Sequence, residues 1–474
     1  ERYATADDEG RFRFAGVEPG DWTLTLVEPG YETLATPVTI TADRVSSVTL
    51  RPKQVRPWEV EEEAGEVVVV YEEPPAVEVS ERALSTEQIA YLPGTGGDLV
   101  KAVQNLPGVA RPAFGIGQLL IRGTAPEDSA YYLDGTRLPA VFHFAGLSTV
   151  LNGDILDEVA LLSGNYSTRY GRTLGGIVDL RVDSALPERS SGYLSVDLLQ
   201  ATGFVEQKLG ERTSLSISGR RSYIDAVLTP VLSGSGGATV RAPRYYDLQA
   251  RLLHHSDQGV IDAAFLLSDD AFRVIGMDGE DAIGLQDRFQ KGRIRWTHTL
   301  GDGWQGEVGV IAGPQSRAFQ IAPDGDALER TIAVNGRFEL TRGYQGSWWS
   351  LRTGLDLYTG SFAWAYDVAG VGSQSRTVEK GSVWFTSPSP YVEPSFRFGA
   401  FEITIGLRVD PWILDQGYTA LAVDPRFVGR IRPTPTTTFE AAVGQFSQFP
   451  GERQVIASQG GNPDLGPSRS LQSS

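Results

Sequence analysis

The sequence predicts a mainly β chain in three regions: an N-terminal β-sandwich, a glycine-punctuated α/β domain and a long antiparallel sheet. Three observations carry this. Residues 1–52 alternate as half-buried strands do, with Phe12 and Phe14 flanking Arg13, Trp22, Leu24 and Leu26 flanking threonines, and Val48 and Leu50 flanking Thr49. Residues 81–185 mix short helical stripes with glycine-rich strand fragments. From 190 to 474 the chain settles into long period-2 segments, in which Phe401, Ile403, Ile405, Leu407 and Val409 interleave with Glu402, Thr404, Gly406 and Arg408.

Between the first two regions, residues 53–80 read as a linker. "KQVRPWEVEEEAG" is charged and patternless. It is followed by Glu66, Val67, Val68, Val69, Val70 and Tyr71, a β-branched run stopped by Pro74 and Pro75. Two readings stand: an ordinary edge strand, or a peptide offered to another protein's sheet edge, where backbone bonds supply affinity and alternate side chains selectivity.

In the middle region, Ser85 with Gln88 three residues on forms a capping box for a short helix ending before Pro93. Leu99, Val103 and Leu106 mark one face of a second helix stopped by Pro107 and Gly108. The stretch "IRGTAPEDSAYYLDGTRLPAVFHFAGL" then gives two strands ending in Arg122-Gly123 and Asp134-Gly135 and a loop carrying Phe142, His143 and Phe144.

The third region is decided by its connectors. Very short links ("LGER", "SDQG", "LGDG", "TRGYQG", "FGAF", "PTPT") alternate with long polar ones. An up-and-down sheet with all tight turns on one rim matches an outer-membrane barrel, whose periplasmic turns are short and extracellular loops long. Trp348, Trp349, Phe362, Trp364 and Tyr366 suit an interfacial aromatic girdle. The competing architecture is a large secreted β-protein with those aromatics in its core. About thirteen strands fall between 190 and 450, an odd number that does not close an ordinary bacterial barrel. The start at Glu1, inside a strand-like pattern, likewise reads as the interior of a longer chain.

Composition excludes several functions. A net charge of -17 with no basic run argues against nucleic-acid partners. With Cys at 0, disulfides, thiolate metal sites and thiol catalysis are absent. The 4 His form no His-Glu-x-x-His pattern, and His254 and His255, adjacent on a strand, point to opposite faces. No nucleophile elbow, phosphate loop or complete dinucleotide fingerprint occurs, so neither catalysis nor a cofactor is expected.

Two resemblances sharpen the reading. "DDEGRFRFAGVEPGDWTLTLVEPGYE" resembles the carboxypeptidase-regulatory-like domain, an immunoglobulin-like appendage. The ordered set Leu106-Pro107-Gly108-Val109, Ile121-Arg122-Gly123, Leu133-Asp134-Gly135, Tyr170-Gly171 and Gly175-Gly176 resembles the plug of TonB-dependent outer-membrane receptors, and "NPDLGPSRS" is similar to a loop motif of that family's barrel. The resemblance implies an importer of a scarce ligand such as a siderophore, cobalamin or glycan. It implies a lipid-embedded barrel of ~22 strands closed by a plug, with the box and the N-terminal domain in the periplasm. Residues 66–71 become the candidate TonB box, gripped by a TonB-type protein working with an ExbB/ExbD-type inner-membrane complex. Arg122 and Asp134 then hold plug strands, meet the barrel wall or form a plain internal ion pair, and polar contacts to the wall take the place of a large apolar interface. Phe142, His143 and Phe144 either face the ligand or sit in a buried apical loop. A plugged barrel that signals or serves a surface complex without import, and a secreted adhesion protein, are the alternatives.

Overall fold

The computed structural model describes residues 12, 14, 17, 20–26, 34–40, 80–89, 98–110, 119–144, 148–226, 239–275, 281–321, 325–344, 346–369, 376–434, 437–456 and 460–474. The candidate box at 66–71, the linker up to residue 79 and most of residues 1–52 lie outside them. The chain forms two compact units, Glu1–Val70 and Tyr71–Ser474. In the first, β1 (Gly20–Leu26) pairs antiparallel with β2 (Leu34–Ile40), setting Trp22 opposite Val38.

The second unit opens with β3 (Glu81–Ser85) and α1 (Thr86–Ile89). The capping box forms: Ser85 N donates to Gln88 Oε1 at 3.2 Å, and Gln88 N donates to Ser85 Oγ at 3.4 Å. Next come α2 (Leu99–Val103), whose Ala102 and Val103 are buried, then β4 (Val109–Ala110) and β5 (Leu120–Ile121). The first turn of α2 is capped by Asp98, which accepts from Lys101 N at 3.1 Å. The strands β6 (Ala130–Leu133), β7 (Thr136–Leu138), β8 (Leu156–Leu162) and β9 (Ile177–Val182) complete a five-stranded sheet in the order β3-β8-β9-β6-β7. Only β6 and β9 run parallel; the other pairs are antiparallel. Asp134-Gly135 is the two-residue turn between β6 and β7, with φ of 42° and 75°, the left-handed pair that an Asp-Gly hairpin turn favours.

Fourteen strands, from Ser191–Val196 to Ser468–Ser473, then form one sheet in sequence order, every neighbouring pair antiparallel. Each of the six short links joins two paired strands. The long connectors are shorter than expected, because hairpin pairing continues into them: Gly259–Ile275 and Asp281–Gly301 absorb most of "RVIGMDGEDAIGLQD".

Burial settles the sheet's environment. Along Phe401–Leu414 the charged face is the hidden one, with Glu402 2% and Arg408 0% exposed, whereas Ile405 is 50% and Leu407 40% exposed. A soluble sandwich would bury the apolar face; an apolar exterior around a polar interior belongs to a lipid-embedded barrel. The aromatic girdle needs correction. Trp348 lies on the exposed side, but Trp364 is buried, and Phe362 and Tyr366 pack with it against Phe385 and Trp412. These three share their strand parity with Asp356, which faces inward.

Candidate functional site: the contact between the α/β domain and the barrel wall

The α/β domain occupies the barrel interior, and its functional geometry lies where it meets the wall. Asp134, in the β6–β7 turn, accepts through Oδ1 from Val182 N at 3.1 Å and through Oδ2 from wall residue Arg293 at 2.7 Å, with Arg295 at 3.8 Å. Arg293 also donates to Asp262 at 3.1 Å, so one guanidinium joins domain and wall. Arg122 is exposed and does not pair with Asp134; its backbone N–H donates to Gly108 O at 2.7 Å across the β4–β5 pair.

A second cluster grips the turn at 165–172. Arg426 donates to Tyr166 O at 2.8 Å and Tyr170 O at 2.9 Å, Arg408 donates to Thr168 O at 3.2 Å, and Arg337 donates to Arg169 O at 2.7 Å. Glu393 accepts from Thr168 N at 2.8 Å and Ser167 Oγ at 2.9 Å. Arg172 of the domain and Arg408 of the wall both pair with Asp356 at 2.9 Å, and Arg408 also pairs with Asp410 at 2.9 Å. The charges are buried; Arg172, Arg408, Asp356, Asp410 and Glu393 have ion-pair partners, whereas Arg426 is held by the carbonyls of Tyr166, Ser167 and Tyr170.

Glycine is required where guanidinium groups press on the backbone. A Cβ on Gly135 would strike Arg337 and Arg169, and one on Gly171 would strike Arg408. Gly123 lies in the turn after β5 with a φ of 77°, and Gly175 and Gly176 bring the chain against Asp128 and Ile121.

The contact is not purely polar. The apolar core of the domain runs on into wall residues Phe204, Leu266, Phe289 and Ile311, and Phe446 packs against Tyr166 at 4.6 Å between ring centroids. In the apical loop, Phe142 belongs to this core, His143 is 0% exposed, and Phe144 is half-buried. His143 meets the wall carboxylates Asp270 at 2.6 Å and Asp247 at 2.9 Å, and both Phe142 and His143 are buried against protein. His254 and His255 have separate partners, Thr213 Oγ1 at 2.8 Å and Ser184 O at 2.9 Å.

Sequence reasoning picked out Asp134 and the glycines but missed Arg293, Arg337, Asp356, Glu393, Arg408 and Arg426. Their signal was present as charges two apart on one strand face, such as Arg408 with Asp410 and Asp424 with Arg426.

A compact domain held by buried ion pairs and charged hydrogen bonds inside an apolar-coated barrel is the plugged-barrel architecture of outer-membrane receptors. Residues 74–177 match the family model of the TonB-dependent Receptor Plug Domain. The TonB-dependent transporter Oar of Myxococcus xanthus is 25% identical over 196 residues, covering 38% of this chain and 17% of Oar. Among solved structures, the ferric enterobactin receptor PfeA of Pseudomonas aeruginosa superposes with a TM-score of 0.57 at 14% identity, over 81% of this chain and 63% of PfeA. The siderophore receptor PirA of Acinetobacter baumannii gives 0.58 at 15% identity, over 84% and 68%. The copper transporter OprC gives 0.63 at 13% identity, over 84% and 70%. The chain thus spans a minor part of Oar and less than two thirds of PfeA, and the shared feature is the fold: a plug inside an outer-membrane barrel.

Proposed function

We propose that this chain is part of an energy-coupled outer-membrane import receptor rather than an enzyme. A scarce ligand of the siderophore, cobalamin or glycan class binds from outside. A TonB-type protein, driven by an ExbB/ExbD-type inner-membrane complex, pairs with residues 66–71 and pulls on the plug. The observation that carries this is the wall's grip on the plug through Asp134, Arg172 and the carbonyls of 166–170. Ligand binding shifts the plug only by its differential affinity for closed and open states, so uphill import requires outside work.

The test is the affinity of the full chain for the periplasmic domain of the host's TonB-type protein, compared with Val68→Pro, which removes one ladder donor. Micromolar binding abolished by the proline supports the reading. Equal binding by both forms, or by neither, removes the box assignment and with it the coupling.

A further inference from the structure

The apical loop of the plug carries a feature that import by pulling does not require. Its two arms pair as a small hairpin, with Phe142 bridging Thr149, His143 N donating to Ser148 O at 3.0 Å and Val150 N donating to Val141 O at 2.9 Å. This pairing aims the His143 ring at the wall. Nδ1 lies 2.6 Å from Asp270 Oδ1, and Nε2 lies 2.9 Å from Asp247 Oδ2. A neutral imidazole has one N–H and one lone pair, so it would satisfy one of two ionised carboxylates and leave its lone pair facing the other, with Arg220 Nη2 3.4 Å from Nε2 as the nearest donor. With both carboxylates ionised, the imidazolium is the form that donates to both.

The surroundings fit that charge. The ring stacks flat on Tyr245, 3.9 Å between centroids and 9° between planes. Arg220 pairs with Asp247 at 2.7 Å and donates to Thr149 O and to Val150 O at 3.0 Å, so the wall reads both the side chain and the backbone of the hairpin. Two cations therefore face two carboxylates. Beyond them, Asp287 is the register partner of Asp270 on the next strand, and on the plug side Asp98 accepts from Thr149 Oγ1 at 2.8 Å. Loss of the His143 proton leaves this buried group one negative charge in excess.

We propose that His143, Asp247, Asp270 and Arg220 form a protonation-dependent latch that fastens the apical hairpin of the plug to the barrel wall, separately from the arginine grip at 166–172. Burial opposes the charge on His143, but Asp247 and Asp270 outweigh it and lift the imidazole to about 9. A group whose folded value is raised above its ordinary value of 6.5 stabilises fully below that value and loses its contribution as pH rises through about 9. The latch is closed at neutral pH and opens in alkali.

With 4 His in the chain, selective 15N-histidine labelling resolves the site, and His143→Phe assigns its signals while keeping an aromatic ring over Tyr245. The full chain in detergent should show both His143 nitrogens protonated at neutral pH. Amide exchange at 141–144 and 148–151, corrected for the intrinsic effect of pH, should lose protection as His143 deprotonates. Asp270→Asn supplies the discriminating result. A neutral imidazole can donate to Asp247 and accept from the introduced amide, so the hairpin should stay protected in alkali. Titration of His143 near the ordinary imidazole value, hairpin protection indifferent to pH in the unmodified chain, or an Asp270→Asn hairpin that opens in alkali as the unmodified chain does, would each overturn the latch.

Discussion

Arg293 of the barrel wall donates to Asp134 of the plug at 2.7 Å, while its other terminal nitrogen holds Asp262 of the neighbouring strand at 3.1 Å. The plug turn is thereby tied into a charge chain that already exists in the wall. The turn needs an Asp for two independent reasons: its carboxylate takes the guanidinium, and its backbone adopts a φ of 42°, a region Asp and Asn tolerate well.

Asp134→Asn separates those reasons, since Asn keeps the turn and removes the charge. Arg293 retains Asp262, so the expected loss is that of a charged hydrogen bond, about 1.5–3 kcal/mol. Chemical denaturation in detergent should show the plug released earlier while the barrel signal is unchanged. An unaltered plug transition would show that the pair does not secure the plug.

Arg408→Met removes the cation shared by Asp356 and Asp410. Breaking a buried pair from one side costs about 3–5 kcal/mol, and here two carboxylates lose a partner, although Asp356 keeps Arg172. Gly171→Ala should displace the same guanidinium sterically. The two changes together should therefore cost less than their sum in a double-mutant cycle, and strict additivity would disprove the shared mechanism.

Leu407→Lys places a charge on the outward face near the middle of its strand, where lipid exposure costs about 2–4 kcal/mol. Thr419→Lys, outward near a strand end, should cost about 0–1 kcal/mol. Heat-modifiable migration after refolding into lipid reads the difference. Equal yields would argue that the face does not meet hydrocarbon.

Asp98→Ala removes the α2 cap, expected to cost about 1 kcal/mol, and also the bond from Thr149 Oγ1 at 2.8 Å. Exchange should quicken in both 99–103 and 148–151. An effect confined to the helix would leave the link to the apical hairpin without energetic weight.

Features set by neighbours along the chain were legible in the sequence. The Ser85/Gln88 capping box and the six short links all formed, and the strand read as ending at Asp134-Gly135 ends there in a tight turn, because caps and tight turns depend on a few consecutive residues. The ordered glycine motifs marked a plug by their resemblance to a known family, which residues 74–177 match. The connectors were misjudged in length, and Phe362, Trp364 and Tyr366 in facing, since period-2 alternation tells two faces apart without saying which one meets lipid.

The sequence by itself determined the Ser85/Gln88 cap, the short links between strands and the alternation that separates a charged face from an apolar one. Only the tertiary structure decided that the charged face turns inward, that Arg293, Arg408 and Arg426 reach plug atoms 159 or more positions away in the chain, and that His143 lies between two wall carboxylates. Those contacts join strands that share no local pattern. Their geometry exists only once the sheet has curved around the plug and buried charge has to find its opposite.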